Sequence, residues 1–157
     1  MLRGKLSIWL CVPGQEQGPS EMEPQSVVKT YVDAWCRRDW DAVIETFAPD
    51  GVIREPSSEE QPVPKEKLRD YINGFDWLWV GFPDAKWETV SLNAISEKLA
   101  VWQWIFRATN SGPVSGNPPT HRKVELPGCE IIEIANGKIR SIQGYFDQLS
   151  FQRQLGR

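Results

Sequence analysis

The chain has 157 residues, 40% hydrophobic and 25% charged, with a net charge of −3. That length suits one globular domain, which buries roughly 70% of its unfolded surface without disulfides or metals. A negative balance supplies no positive field for a polyanion, and the single histidine, His121, excludes HExxH and multi-histidine metal chemistry.

Residues 1–23 read as a disordered leader or a non-native extension, and 24–157 as the domain. Leu6–Val12 is apolar but short, and no Ala-x-Ala cleavage site follows it. No stretch has the length a membrane span needs. Three cysteines at wide spacing (Cys11, Cys36 and Cys129) form no disulfide framework or zinc knuckle. They suit a reducing cytoplasm, with Cys36 and Cys129 as small buried hydrophobes.

Pro24-Gln25-Ser26 opens a first helix. Val28, Tyr31, Val32 and Trp35 share one face of it. Asp39 is placed to cap a second helix carrying Trp40, Val43, Ile44 and Phe47. Pro49-Asp50-Gly51 reads as a break, 52–55 as a short strand, and 57–64 as a polar loop. A third helix spans 65–75, and 76–83 carries Trp77 and Trp79 into a turn. Strands follow at 86–93, 99–109 and 121–134, the last with a break expected at Pro127-Gly128. Asn136-Gly137 is a strong hairpin signal, 138–146 is the return strand, and a short helix starts at Asp147. Helices followed by a meander define an α+β fold. Eight tryptophans are the compositional outlier, and they point to an apolar pocket, a dimer face, or both.

Several strings, in this order, resemble the SnoaL-like, polyketide cyclase-like branch of the nuclear transport factor 2-like superfamily. They are Phe82-Pro83-Asp84, Pro118-Pro119-Thr120 followed by Arg122, Gly137-Lys138-Ile139, and Asp147 followed by Gln154-Leu155-Gly156. The resemblance covers roughly 25–156. It implies a cone-shaped, curved mixed or antiparallel sheet wrapped around the N-terminal helices, with an apolar internal pocket and an outer face that forms a homodimer. Its relatives include ketosteroid isomerases, limonene epoxide hydrolases, dehydratases and binding-only proteins.

The resemblance also assigns positions. The cyclases' catalytic Asp falls at Gly144 and their His at Glu130. The epoxide hydrolases' Asp falls at Gly144 too, and their Arg and Asp at Gln103 and Ile105. Neither catalytic set is therefore complete in this chain. What remains is Glu130 in an apolar run, in phase with Ile132 and Ile134, with Cys129, Ile131 and Glu133 on the opposite face. A carboxylate there is either functional or paired with Arg107, Arg122 or Arg140. Glu55, at a strand end, is either at the pocket mouth or solvated. If both face inward, they supply an acid and a base without histidine.

Gln103 is a third catalytic candidate, set to orient a carbonyl or a water if it faces inward. In that phase Trp102 and Trp104 face outward, and the other phase reverses this. Alternation does not choose. Tyr31, Trp35, Ile105, Ile132, Ile142, Gly144 and Phe146 are the expected substrate-contacting positions. Asp147 reads as a helix cap and His121 as an exposed loop residue. The expected function is a cofactor-independent, metal-free acid–base enzyme of isomerase, cyclase, dehydratase or epoxide hydrolase type. Its substrate is a small apolar oxygenated molecule, and neither nucleic acid nor membrane is a partner. The alternative is a non-catalytic binder of a small hydrophobic ligand.

Overall fold

The computed structural model describes residues 23–58 and 61–156, so the expectation for the leader lies outside the described residues, Glu23 excepted. Helix α1 (Pro24–Arg37) starts with proline, whose fixed φ suits a first turn, and ends at Arg38 in the left-handed region (φ 58°). Its inner face buries Val27, Val28, Tyr31, Val32 and Ala34. Burying each valine contributes about 1.5–3 kcal/mol, and this burial holds a helix that propensity alone would not. Helix α2 (Trp40–Glu45) is capped by Asp39, whose carboxylate accepts from the Ala42 N–H at 3.2 Å.

Strand β1 (Phe47–Arg54) runs through Pro49-Asp50-Gly51, where the sequence suggested a break. The local signal is overridden by pairing with the last strand, with the irregularity absorbed between Phe47 and Val52. Gly51 is required there, because a Cβ would lie 2.9 Å from the Ile139 carbonyl oxygen. Strand β2 (Val63–Pro64), a 3-10 turn (Lys65–Lys67) and α3 (Leu68–Asn73) follow. The segment read as a turn is helix α4 (Asp76–Gly81). Leu78 and Phe82, four residues apart, are both buried and draw it onto the core.

Strands β3 (Lys86–Ser96), β4 (Leu99–Thr109), β5 (Lys123–Ala135) and β6 (Lys138–Phe146) form the meander, and α5 (Gln148–Leu155) closes it. The six strands form one curved, unclosed mixed sheet in the order β2-β1-β6-β5-β4-β3, parallel only between β1 and β6. The fold is thus α+β. Strand β5 does not break at Pro127. Strand β6 ends at Phe146 opposite Gly128, so Pro127 has a strand neighbour on one side only, a place that proline tolerates. Asp147 caps α5 through the Ser150 N–H at 2.9 Å, and Gly156 ends it at φ 81°.

The phase of β4 is settled. Ala100, Trp102, Trp104, Phe106 and Ala108 point into the core, and Gln103 is exposed. Trp35, Trp40, Trp79 and Trp87 join edge-on or tilted in a chain with centroid spacings of 5.5–5.9 Å. The Arg38 guanidinium lies 4.1 Å over Trp79. Most of the tryptophan excess among the described residues is therefore spent inside. The two described cysteines correct the expectation of burial. Cys36 is exposed on the outer face of α1, and Cys129 is half-buried on the outer face of β5.

Candidate active site

A cavity of about 500 Å³ lies between the inner face of the sheet and the helices. Ten of its lining residues are aromatic, which favours a flat apolar skeleton over a chain of polar groups. Among the described residues, its acids are Glu55 and Glu130, and no lysine, arginine or histidine lines it. Exposed Trp77 on α4 and exposed Gln148 and Gln152 on α5 are at its rim.

Glu130 stands on the inner phase of β5, opposite Trp102 on β4 and Gly144 on β6. Its Oε2 is fully buried and has no hydrogen-bond partner. The arginines that offered an ion pair are placed elsewhere. Arg107 meets Glu88 and Glu125, Arg140 meets Asp50, and the Arg122 guanidinium lies beside Gly156. Burial is the largest cause that pushes the Glu130 pKa up to about 8, and the nearby Glu55 adds to it. Hydrogen bonding with Tyr31 opposes the rise without cancelling it. Glu130 is thus protonated at neutral pH.

Glu55 follows the last residue of β1 and turns inward. Its pKa is also raised by burial, and the Ser57 hydroxyl, which donates to Oε1 at 2.6 Å, pulls it back. The Tyr31 phenol, on the buried face of α1, is held well above its ordinary pKa by burial and then by both glutamates. It is a neutral donor. Three elements distant in sequence thus converge two carboxyl groups and a phenol in one apolar space.

Of the positions singled out from the sequence, Glu130, Glu55, Tyr31, Trp35, Ile142 and Phe146 line the cavity. Gln103 does not. It lies on the outer face of the sheet and accepts a hydrogen bond from Ser91 at 2.7 Å. Ile105 is on the same outer phase, because strand alternation fixes both once Trp102 and Trp104 turn inward. Ile132 is inward and fully buried beside Ala100 and Ile142, and it does not line the cavity. Gly144 is buried and shapes the site by the space it leaves. Trp87, Trp104 and Phe106 line the cavity and were missed. Fixing the phase of β4 finds the last two.

A curved, unclosed sheet that packs with helices around an apolar, aromatic-rich pocket holding two acids describes a class of pocket-forming α+β domain. A profile described as the SnoaL-like polyketide cyclase family matches residues 25–155, and the chain belongs to that family. It is similar to the proposed hydroxylase AclR from Streptomyces galilaeus, with 25% identity over 87% of this chain and 83% of that one, at a TM-score of 0.69. The fold is shared with IdmH from Streptomyces antibioticus, a proposed polyketide cyclase, at 22% identity and TM-score 0.70, covering 85% of this chain and 99% of that one. It is also shared with a SnoaL-like protein from Jannaschia sp. CCS1, at 21% identity and TM-score 0.69, covering 90% and 97%. No curated protein matches the sequence. Among the described residues, no helix is long and apolar enough to cross a membrane.

Proposed function

We propose that the chain is an acid–base enzyme of cyclase or isomerase type that enolises a small, uncharged, apolar ketone or ester. The observation that carries this reading is Glu130, a carboxyl group without a cationic partner in an aromatic cavity beside a second carboxyl, Glu55. Glu55 in its ionised form removes a proton from the carbon next to a carbonyl. Glu130, protonated at neutral pH, gives its proton to the carbonyl oxygen as the enol forms, and the Tyr31 phenol donates a hydrogen bond to the same oxygen. With a β,γ-unsaturated substrate, Glu55 returns the proton at the far end of the dienol while the enol O–H goes back to Glu130, and the product is the conjugated isomer. Attack of the enol carbon on a second carbonyl forms a carbon–carbon bond and closes a ring, the enol O–H returning its proton to Glu130 and the new alkoxide taking the proton that Glu55 carries.

These steps ask the protein for proton transfers only, the carbon–carbon bond forming within the substrate, and involve no change of oxidation state. Two acids and, among the described residues, no lining cation disfavour an anionic substrate. The positions matched to the epoxide hydrolase Arg and Asp, Gln103 and Ile105, face away from the cavity, so epoxide opening has less support than enolisation. The reading also takes the domain as 24–157, working as a homodimer in the cytoplasm.

The test uses 2-tetralone, a neutral bicyclic ketone, in heavy water. Wild-type protein accelerates exchange of its α-protons, and Glu130→Gln and Glu55→Gln each lose about 10²-fold or more. Tetralone that quenches tryptophan fluorescence on binding but exchanges no faster than in buffer overturns the enzyme reading. It leaves the non-catalytic binder in its place.

A further inference from the structure

Gly144 carries more than an absence. It is buried on the inner phase of β6 and stands opposite Glu130 on β5. On its other side β6 runs parallel to β1, with Gln143 paired to Arg54, so Glu55 follows at the next level. A Cβ built at Gly144 would lie 3.1 Å from the Glu55 Cβ and 3.6 Å from its Oε2. The first contact is tighter than packing tolerates without movement, and it is with the stem of the side chain rather than its flexible end. The second places the Glu55 carboxyl where a short side chain on residue 144 would reach.

We propose that positions 55 and 144 share one carboxylate site, in which the gap at Gly144 admits Glu55 from the neighbouring parallel strand to face Glu130. Gly144 is then a positioning residue for Glu55, and any side chain at 144 competes with it. The carboxyl partner of Glu130 belongs to a place in the cavity, and either strand can supply it. This deepens the proposed function, since it rests on Glu55 and Glu130 as the working pair and names what sets their separation.

Among the described residues, the titratable groups facing Glu130 are Tyr31 from α1 and Glu55 just past the end of β1, and of these only Glu55 adds negative charge. Titration of Glu130 therefore reports where the second carboxyl is. The measurement is the protonated-carboxyl infrared band of Glu130, followed against pH and identified by its loss in Glu130→Gln. Glu55→Gly lowers the midpoint by roughly one pH unit, as expected for removing a close like charge. Adding Gly144→Asp to Glu55→Gly exchanges the two side chains, and the midpoint returns upward. A folded exchange variant whose midpoint stays with Glu55→Gly overturns the proposal.

A second pair of variants decides the matter if the exchange variant does not fold. Gly144→Ala alone pushes Glu55 aside and lowers the midpoint, whereas Gly144→Ala in a Glu55→Gln background changes nothing. A Gly144→Ala protein with an unchanged midpoint refutes the shared site. No turnover is needed for any of this. Lost ketone exchange with intact midpoint shifts rejects the reaction, and absent shifts with intact exchange reject the shared site.

Discussion

The stability of Glu130→Gln relative to wild type should shift in the variant's favour as the pH rises. The wild-type carboxyl titrates near 8 in the folded state against 4.5 as a free side chain. Between those values the folded protein binds a proton that the unfolded chain does not hold. Stability therefore falls with rising pH across that window, and it is flat below and above it. At about 1.4 kcal/mol per pH unit, the loss between pH 4.5 and 8 reaches an upper bound of about 5 kcal/mol. Entry of water into the cavity reduces it to a few kcal/mol. Glutamine has the same shape and does not titrate, so its own effect is a constant offset from leaving an amide group where Oε2 has no partner. Glu55 titrates in both proteins in the same direction, and the comparison largely removes it. Urea unfolding followed by tryptophan fluorescence from pH 4 to 9 gives both curves. The difference between variant and wild type should be constant below about pH 4.5, grow to about pH 8 and then level off. Parallel curves across the whole range would refute the burial of an uncompensated carboxyl at this position.

Two further outcomes follow from packing. Gly128→Ala should cost about 1–3 kcal/mol in urea unfolding, because its Cβ would stand 2.3 Å from Trp104 Cη2 and the indole that walls the cavity would have to leave; an unchanged midpoint would contradict this. If the outer sheet face is the dimer surface, Ile131→Asp with Tyr145→Asp should convert a dimer to a monomer in sedimentation equilibrium, since both side chains are exposed there; a wild-type monomer refutes the dimer reading.

Much of the fold was readable where the signals are local. Helix α1 declared itself by the period of Val28, Tyr31, Val32 and Trp35, and α2 and α5 by the caps Asp39 and Asp147. The β5–β6 hairpin turns at Asn136-Gly137, where both residues take positive φ. The failures lie where a distant partner decides. Strand β1 crosses Pro49-Asp50-Gly51 because β6, almost a hundred residues later, offers a parallel edge. Strand β4 alternates bulky residues with Val101, Gln103 and Ile105, so both phases place apolar groups on both faces. Its choice needs the register that sets Trp102 against Glu130. Gln103 entered as a catalytic candidate through that ambiguity and leaves by its resolution.

Glu130 was legible for a different reason. Burying a carboxyl in phase with Ile132 and Ile134 is expensive, and a sequence that keeps one there must compensate it or use it. Compensation by an arginine was the reading to exclude, and the structure places the three candidate arginines elsewhere. What surrounds the carboxyl is a phenol and a second acid, and neither cancels the cost. The protein bears it by keeping the proton. A carboxyl group that holds its proton at neutral pH is a weaker acid than a free one, but it has a proton to offer where an ordinary carboxylate has none. The same burial that weakens the folded state as the pH rises toward 8 is therefore what would let Glu130 act as the acid of the proposed reaction. Gly144 sets how closely the base approaches it, and a side chain added there should disturb stability, titration and chemistry together.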